Sequence, residues 1–203
     1  MSEEELLIDR DEYLANGVHI GTRSQTKDME KYIFHVKKNQ LAVLDVQQTD
    51  EKIRETAEYL ADKPAEEILV VGRKEDAHYP VNQFSEATEA SKIVGRFMPG
   101  TLTNPESVEF QEPEVLVACD PEEDSQAIKE ASESNIHVVA IADSESNLDN
   151  VDHVIPANNK GGNSLSAVFY LLAQQMAEHT DEEFDYDLDF FKENPSEEEE
   201  TEE

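Results

Sequence analysis

Three aspartates, Asp45, Asp120 and Asp143, each close a short apolar run: Leu41 to Leu44, Val115 to Cys119 and Val138 to Ala142. If the runs are strands of an open α/β sheet, the carboxylates stand at its carboxyl edge, where such sheets build their sites. With Lys160 they have the makings of a phosphoacceptor or magnesium pocket, since hard cations take oxygen ligands. That chemistry also needs an adjacent acidic pair after the first strand, and Asp45 is followed by Val46, Gln47 and Gln48. The competing reading is that the aspartates cap helices and close turns, which Asp120-Pro121 favours. The stretch from Asn158 to Asn163 contains Lys160, Gly161 and Gly162 ahead of a helical pattern. Its backbone N–H groups and lysine could hold a phosphate, but it lacks the spacing of a phosphate-binding loop, and a turn using permissive glycines fits equally.

Other chemistry has less support. No two of the six histidines stand three or four residues apart, so no zinc site is expected. No G-x-S-x-G elbow occurs. The one cysteine, Cys119, lies in an apolar run, as a buried and inert thiol would, and a single cysteine excludes an intramolecular disulfide. The basic residues are unevenly spread: Arg23, Lys27, Lys31, Lys37 and Lys38 crowd one stretch that also holds Tyr32, Phe34 and His35. Cations interleaved with planar groups suit RNA, phosphates on the cations and bases on the rings. A solvated face pairing with Asp28 and Glu30 is the alternative.

That cluster is exceptional because the rest of the chain is acidic, with 48 Asp and Glu against 16 Lys and Arg and a formal charge of -32 over 203 residues. Apolar runs and helical spacing exclude a wholly disordered acidic protein, so much of the excess lies on a folded surface. Such a surface repels itself at low ionic strength and is screened at molar salt, where the Debye length is about 3 Å. The composition therefore points to a salt-rich cytoplasm and confines nucleic-acid contact to a local patch. No segment approaches the roughly 18 apolar residues of a membrane span, and acids replace the basic start of a signal peptide.

The elements that would carry these residues are an alternation of strands and helices. Leu41 to Leu44, Ile68 to Val71, Val115 to Cys119 and Val138 to Ala142 lack polar alternation and read as buried parallel strands. A fifth is expected at Lys92 to Phe97 or at His153 to Ile155. Between them Ile53, Ala57 and Leu60, then Val81, Phe84 and Thr88, then Ala127, Ile128 and Ala131 share helix faces. Thr49 is the expected cap of the first helix, with Asp50 and Glu51 in its first turn. Pro80 is either a first-turn residue of the second helix or a kink in one that starts at Glu75. Asn163 or Ser164 should cap a last helix whose Leu165, Val168, Leu172 and Met176 form one stripe.

Residues 1–12 and 179–203 read as acidic extensions of a domain spanning 13–178. Within the second, Phe184, Tyr186, Leu188 and Phe190 alternate with Asp185, Asp187 and Asp189. The alternation could dock the segment on a partner, fold it back on its own domain, or accompany disorder.

Collinear motifs carry a resemblance to a known family. Gly17 to Gly21 with His19-Ile20-Gly21, Lys27 to Ile33, and Leu44-Asp45 with Thr49 resemble the entry to the small-subunit ribosomal protein two family. Gly95 to Pro105 is similar to its R-[FW]-x-x-G-x-x-T-N signature, in the Phe and Pro-Gly-Thr form typical of archaeal and eukaryotic members. Asp120-Pro121, Ala127 to Ala131, Ile141-Ala142-Asp143, Val151-Asp152 and Ile155 to Lys160 follow in family order, so the resemblance spans Tyr13 to Ala177. His137 departs from the usual proline, Ser144-Glu145 departs from Thr-Asp, and the bacterial helical-hairpin insertion between Glu75 and Glu89 is absent.

The resemblance implies a flavodoxin-like three-layer α/β/α fold with a parallel sheet in order 2-1-3-4-5. It also implies a non-catalytic, cytoplasmic component of the small ribosomal subunit, bound to its rRNA and to neighbouring ribosomal proteins. No cofactor, no metal, no membrane and no obligate homo-oligomer are expected. Arg96, Thr103, Asn104 and Lys160 then join Arg23, Lys27, Lys31, Lys37 and Lys38 as candidate RNA contacts.

Overall fold

A computed structural model describes residues 6–180 and 183–192. In chain order the elements are α1 (Arg10–Ala15), β1 (Ile33–Val36), β2 (Ala42–Leu44), α2 (Val46–Ala61), β3 (Ile68–Gly72), α3 (Glu75–Thr88) and β4 (Ser91–Val94). β5 (Val115–Ala118), α4 (Ser125–Glu133), β6 (His137–Ala142), β7 (His153–Pro156) and α5 (Gly162–Thr180) follow, then a 3-10 turn at Leu188–Phe191. β3 to β7 form a parallel sheet in the order β4-β3-β5-β6-β7. Counted within that sheet the order is 2-1-3-4-5, the flavodoxin-like arrangement.

Both faces of the sheet are covered, which is why its central strands read as unbroken apolar runs. Ile68, Val70, Val115, Val117, Val139, Ile141 and Ile155 face one core cluster with α2, α3 and α5. Leu69, Val71, Leu116, Ala118, Val138 and Ala140 face the other, under Ala127, Ile128 and Ala131 of α4 and under Phe97 and Leu102. The stripe Leu165, Val168, Leu172 and Met176 is buried in the first cluster as its spacing predicts. Gly72 is fixed by close approach: a Cβ there would lie 3.0 Å from Ala77 Cβ and 3.1 Å from Val81 Cγ2. Cys119 is buried, and burial raises its thiol pKa well above the ordinary value.

Several sequence expectations need correction. Leu41 to Leu44 is not a strand of the parallel sheet: Ala42–Leu44 pairs antiparallel with Ile33–Val36 in a separate two-stranded sheet. A three-residue buried run carries no mark of the direction of its partner. Thr49 does not cap α2. Asp45 does, accepting from Gln47 N at 3.1 Å, while Thr49 Oγ1 donates to Pro156 O at 2.6 Å and ties α2 to β7. Asn163 and Ser164 lie inside α5, which begins at Gly162. Both candidates for the fifth strand are strands, β4 and β7, at the two edges. α3 starts at Glu75, so Pro80 is an interior residue. Gly161 and Gly162 have no positive φ, so permissive glycine geometry does not explain that turn. His137, in place of the family's proline, uses the N–H that proline lacks to donate to Glu114 O at 3.1 Å.

Both ends of the described chain are tied to the domain. Buried Asp50 accepts from Leu7 N, from Tyr13 Oη and from Arg54 Nε. After α5, Phe184, Tyr186, Leu188 and Phe190 pack on the first core cluster, and Phe191 is wholly buried in it. Of the readings of the aromatic alternation, the fold-back on its own domain is the one observed.

Candidate RNA-binding surface

Asp120 and Asp143 stand at the carboxyl edge of the parallel sheet, whereas Asp45 follows β2 of the separate hairpin sheet, so the three do not share one edge; all three are occupied by internal bonds. Asp45 Oδ1 caps α2 and its Oδ2 accepts from Gln48 Nε2. Asp120 Oδ1 accepts from Glu122 N and Asp143 Oδ1 from Glu145 N, both closing turns two residues on. Their remaining charge is met by lysines: Lys74 pairs with Asp120, and Lys160 pairs with Glu145 and lies 3.4 Å from Asp143. Burial works against the Lys74 charge, but the Asp120 bond outweighs it and holds the ammonium pKa above its usual value. Burial raises the Asp143 carboxyl against the pull of Lys160.

Asp124, which the sequence reading did not single out, joins this edge four residues after Asp120. It accepts from Arg73 N and Asp120 N, both at 3.0 Å, and burial lifts its pKa to about 7. Among the described residues no group of three or more His, Cys, Asp or Glu could hold a metal ion. The edge that serves as an active site elsewhere is here a set of ion pairs and turns.

The stretch Gly95 to Pro105 forms a loop gripped by one buried carboxylate. Glu130 of α4 accepts from Gly100 N at 2.8 Å, Leu102 N at 3.2 Å, Thr103 Oγ1 at 3.4 Å and Gln126 Nε2 at 2.8 Å. Burial acts to raise its pKa, but these donors prevail and keep it below the usual carboxylate value. Gly100 has φ +96, a conformation that a side chain would strain. Asn104 is also engaged, its Oδ1 accepting from Glu106 N. Thr103 and Asn104 therefore shape the loop. Arg96 is exposed and makes no ion pair among the described residues.

The basic stretch is strapped to the same carboxyl edge, beyond the end of β6. Thr22 N donates to Ser144 Oγ at 2.8 Å, Thr26 N to Ser144 O at 2.9 Å, and Thr26 Oγ1 to Ser146 O at 2.9 Å. Ser144 keeps a hydroxyl where the family has threonine. Gly21 is required at this approach, because a Cβ would lie 2.8 Å from Ser144 Oγ. Met29 and Tyr32 then pack on Ala142 and Val154.

From this strap Arg23, Lys27 and Lys31 are exposed, and Lys37 and Lys38 sit exposed at the turn of the β1–β2 hairpin, held by Gln40 N to Lys37 O. None of the five has an ion pair among the described residues, and neither have the scattered Lys92 and Lys129, whereas Lys52, Lys63, Lys74 and Lys160 are paired; what sets the five apart is that they are gathered on one stretch. Asp28 and Glu30 do not take them up. Lys160 reaches this group through Glu145, which also accepts from Thr22 Oγ1. Two sets of candidates thus emerge, one around β6 and β7 and the other, with Arg96, Thr103 and Asn104, beyond β4.

The fold is thus an α/β/α layer whose usual site edge is filled by its own ion pairs, with exposed cations that have no ion pair among the described residues gathered on one segment bonded to that edge. Its relatives are specific. A profile of the family described as Ribosomal protein S2 matches residues 13–112 and 109–179. Two proteins named Small ribosomal subunit protein uS2, from two strains of Methanococcus maripaludis, are each 45% identical over 175 residues, 86% of this chain and 80% and 79% of theirs. The chain belongs to the ribosomal protein S2 family.

Proposed function

We infer that the protein is a structural constituent of the small ribosomal subunit in the cytoplasm, of the archaeal type that its relatives represent, and that Arg23, Lys27, Lys31, Lys37 and Lys38 bind rRNA backbone. The observation that carries the RNA assignment is electrostatic. In a chain with a formal charge of -32, these cations stay exposed and without an ion pair among the described residues, gathered on a segment bonded to the sheet's edge. Phosphate contacts from such groups give affinity and position, with little reading of sequence. Arg96 extends the surface beyond β4, Thr103 and Asn104 present their loop to it, and Lys160 contributes as the partner that fixes Glu145 beside Thr22. Neighbouring ribosomal proteins complete the setting. Neither catalysis nor a cofactor is part of this role, and the acidic remainder is a surface adapted to high salt.

The test is incorporation. The double variant Lys37→Glu with Lys38→Glu reverses two exposed charges that make no internal bond through their side chains, so its fold and melting temperature stay as in the wild type. Its retention in small subunits, measured by co-sedimentation in molar salt, should fall at least tenfold. Unchanged retention would make the stretch a solvated face.

A further inference from the structure

Beside the hairpin lies a recess of about 200 Å³ whose walls include Leu14, Phe34, Val43 and Val46 and whose rim holds Arg10 and Lys37. Phe34 is 63% exposed although it is a large apolar residue on a strand. Its ring meets His35 edge-on at 5.3 Å. Leu14 and Ile20 are exposed on the neighbouring segments. His19, also on the wall, has its Nδ1 buried without a hydrogen-bond partner. The acid that the described lining contains, Asp45, has both oxygens engaged by Gln47 and Gln48.

We propose that this recess takes a single unpaired RNA base, stacked on Phe34, with its flanking phosphates on Lys37 and Arg10. The size fits one planar ring system: enclosed sites for whole drug-sized ligands run from about 300 to 1,000 Å³. The charge fits a nucleotide better than an apolar protein side chain, because Arg10 and Lys37 border the apolar wall without an ion pair among the described residues, and Asp45 is already bonded. Burial, and after it nearby Lys37, lower the His19 pKa, so this wall favours the uncharged imidazole. A stacking contact is worth about 1–3 kcal/mol per base and tolerates any base, which adds shape selectivity to phosphate binding that alone has none.

The proposal rests on the RNA-binding reading of the same stretch, and two short RNAs separate the two claims. One is a hairpin with a single bulged adenosine; the other is its fully paired counterpart. Binding of each to the full chain is followed by fluorescence anisotropy at the lowest salt at which the protein still melts cooperatively. The wild type should prefer the bulged hairpin about tenfold, the ratio that about 1.4 kcal/mol of stacking gives. Phe34→Ala should bring that preference near one without weakening the paired RNA, and Phe34→Tyr should keep it. Phe34 is exposed enough that the alanine variant folds.

Equal wild-type affinity for the two RNAs, or a preference that survives Phe34→Ala, overturns the base pocket while leaving phosphate binding intact. Absence of salt-dependent binding to either RNA overturns the RNA reading itself. Equal affinities combined with poorer retention of Phe34→Ala in small subunits would give the recess to a protein side chain and also overturn the proposal.

Discussion

Phe191→Ala tests whether the aromatic segment after α5 is part of the domain. Phe191 is wholly buried, packing edge-on at 5.8 Å against Tyr170 of α5 and at 5.6 Å against Phe190. Truncating a buried phenylalanine costs about 3–5 kcal/mol, from lost burial plus the cavity left behind. The lower end applies here, because Phe191 sits in a short 3-10 turn and not in a helix or strand of the sheet, so its surroundings can relax and limit the loss. For a domain of this length each kcal/mol moves the melting temperature by about 2–4 °C, so about 3 kcal/mol predicts a fall of roughly 6–12 °C. Calorimetry in molar potassium chloride reads it, with Phe190→Ala as the internal control. Phe190 is only half-buried, and its loss should cost about 1 kcal/mol. A Phe191→Ala melt within a degree or two of wild type, or one no lower than that of Phe190→Ala, would show that the segment does not anchor as described.

Further expectations concern charge. Glu130→Gln should lower stability by about 1–3 kcal/mol and expose the loop around Asn104 to protease, since two backbone donors lose a charged acceptor. Because the folded pKa of Glu130 is depressed, its contribution is present above the unfolded carboxylate value and fades as pH falls through the folded one, so wild type and variant should converge in acid. Asp124 has the opposite sign: its folded pKa of about 7 exceeds the unfolded one, so it weakens the fold as pH rises from about 4 to 7, by at most about 1.4 kcal/mol per pH unit. Asp124→Asn should flatten that part of the stability profile measured by urea melts, and an unchanged slope would count against it. Dialysis below about 0.1 M salt, where repulsion between like charges reaches about 10 Å or more, should expand or unfold the isolated chain. A sharp melt and intact near-ultraviolet dichroism after dialysis would refute the salt argument.

The legibility of this fold in its sequence varied with burial. β3, β5 and β6 are covered on both faces, and their Val, Ile and Leu runs, bounded by turn residues, are what fully buried strands require. β4 and β7, at the edges, keep polar and half-exposed positions, which is why either looked sufficient as the fifth strand. β2 misled because a short buried run looks the same in a hairpin as in a parallel sheet, while its partner β1 carries exposed Phe34 and Val36. At the site, the cluster from Arg23 to Lys38 stood out by composition alone. Glu130 did not, because a glutamate on an amphipathic helix looks like a solvent-facing residue until the Gly100 loop is laid over it. Lys74 was equally hidden, since its partner Asp120 lies far along the chain. Asp120 and Asp143 were rightly placed at one sheet edge, yet only the three-dimensional arrangement reveals the lysines beside them.

The central claim is that residues 23–38 face rRNA in the assembled particle. Ultraviolet cross-linking of small subunits containing this chain, followed by mass spectrometry of the RNA-bearing peptides, tests it most directly. The account predicts cross-links at Tyr32, Phe34 and the lysines around them, with fewer near Arg96. Cross-links confined to other parts of the chain, in particles that retain it fully, would contradict it.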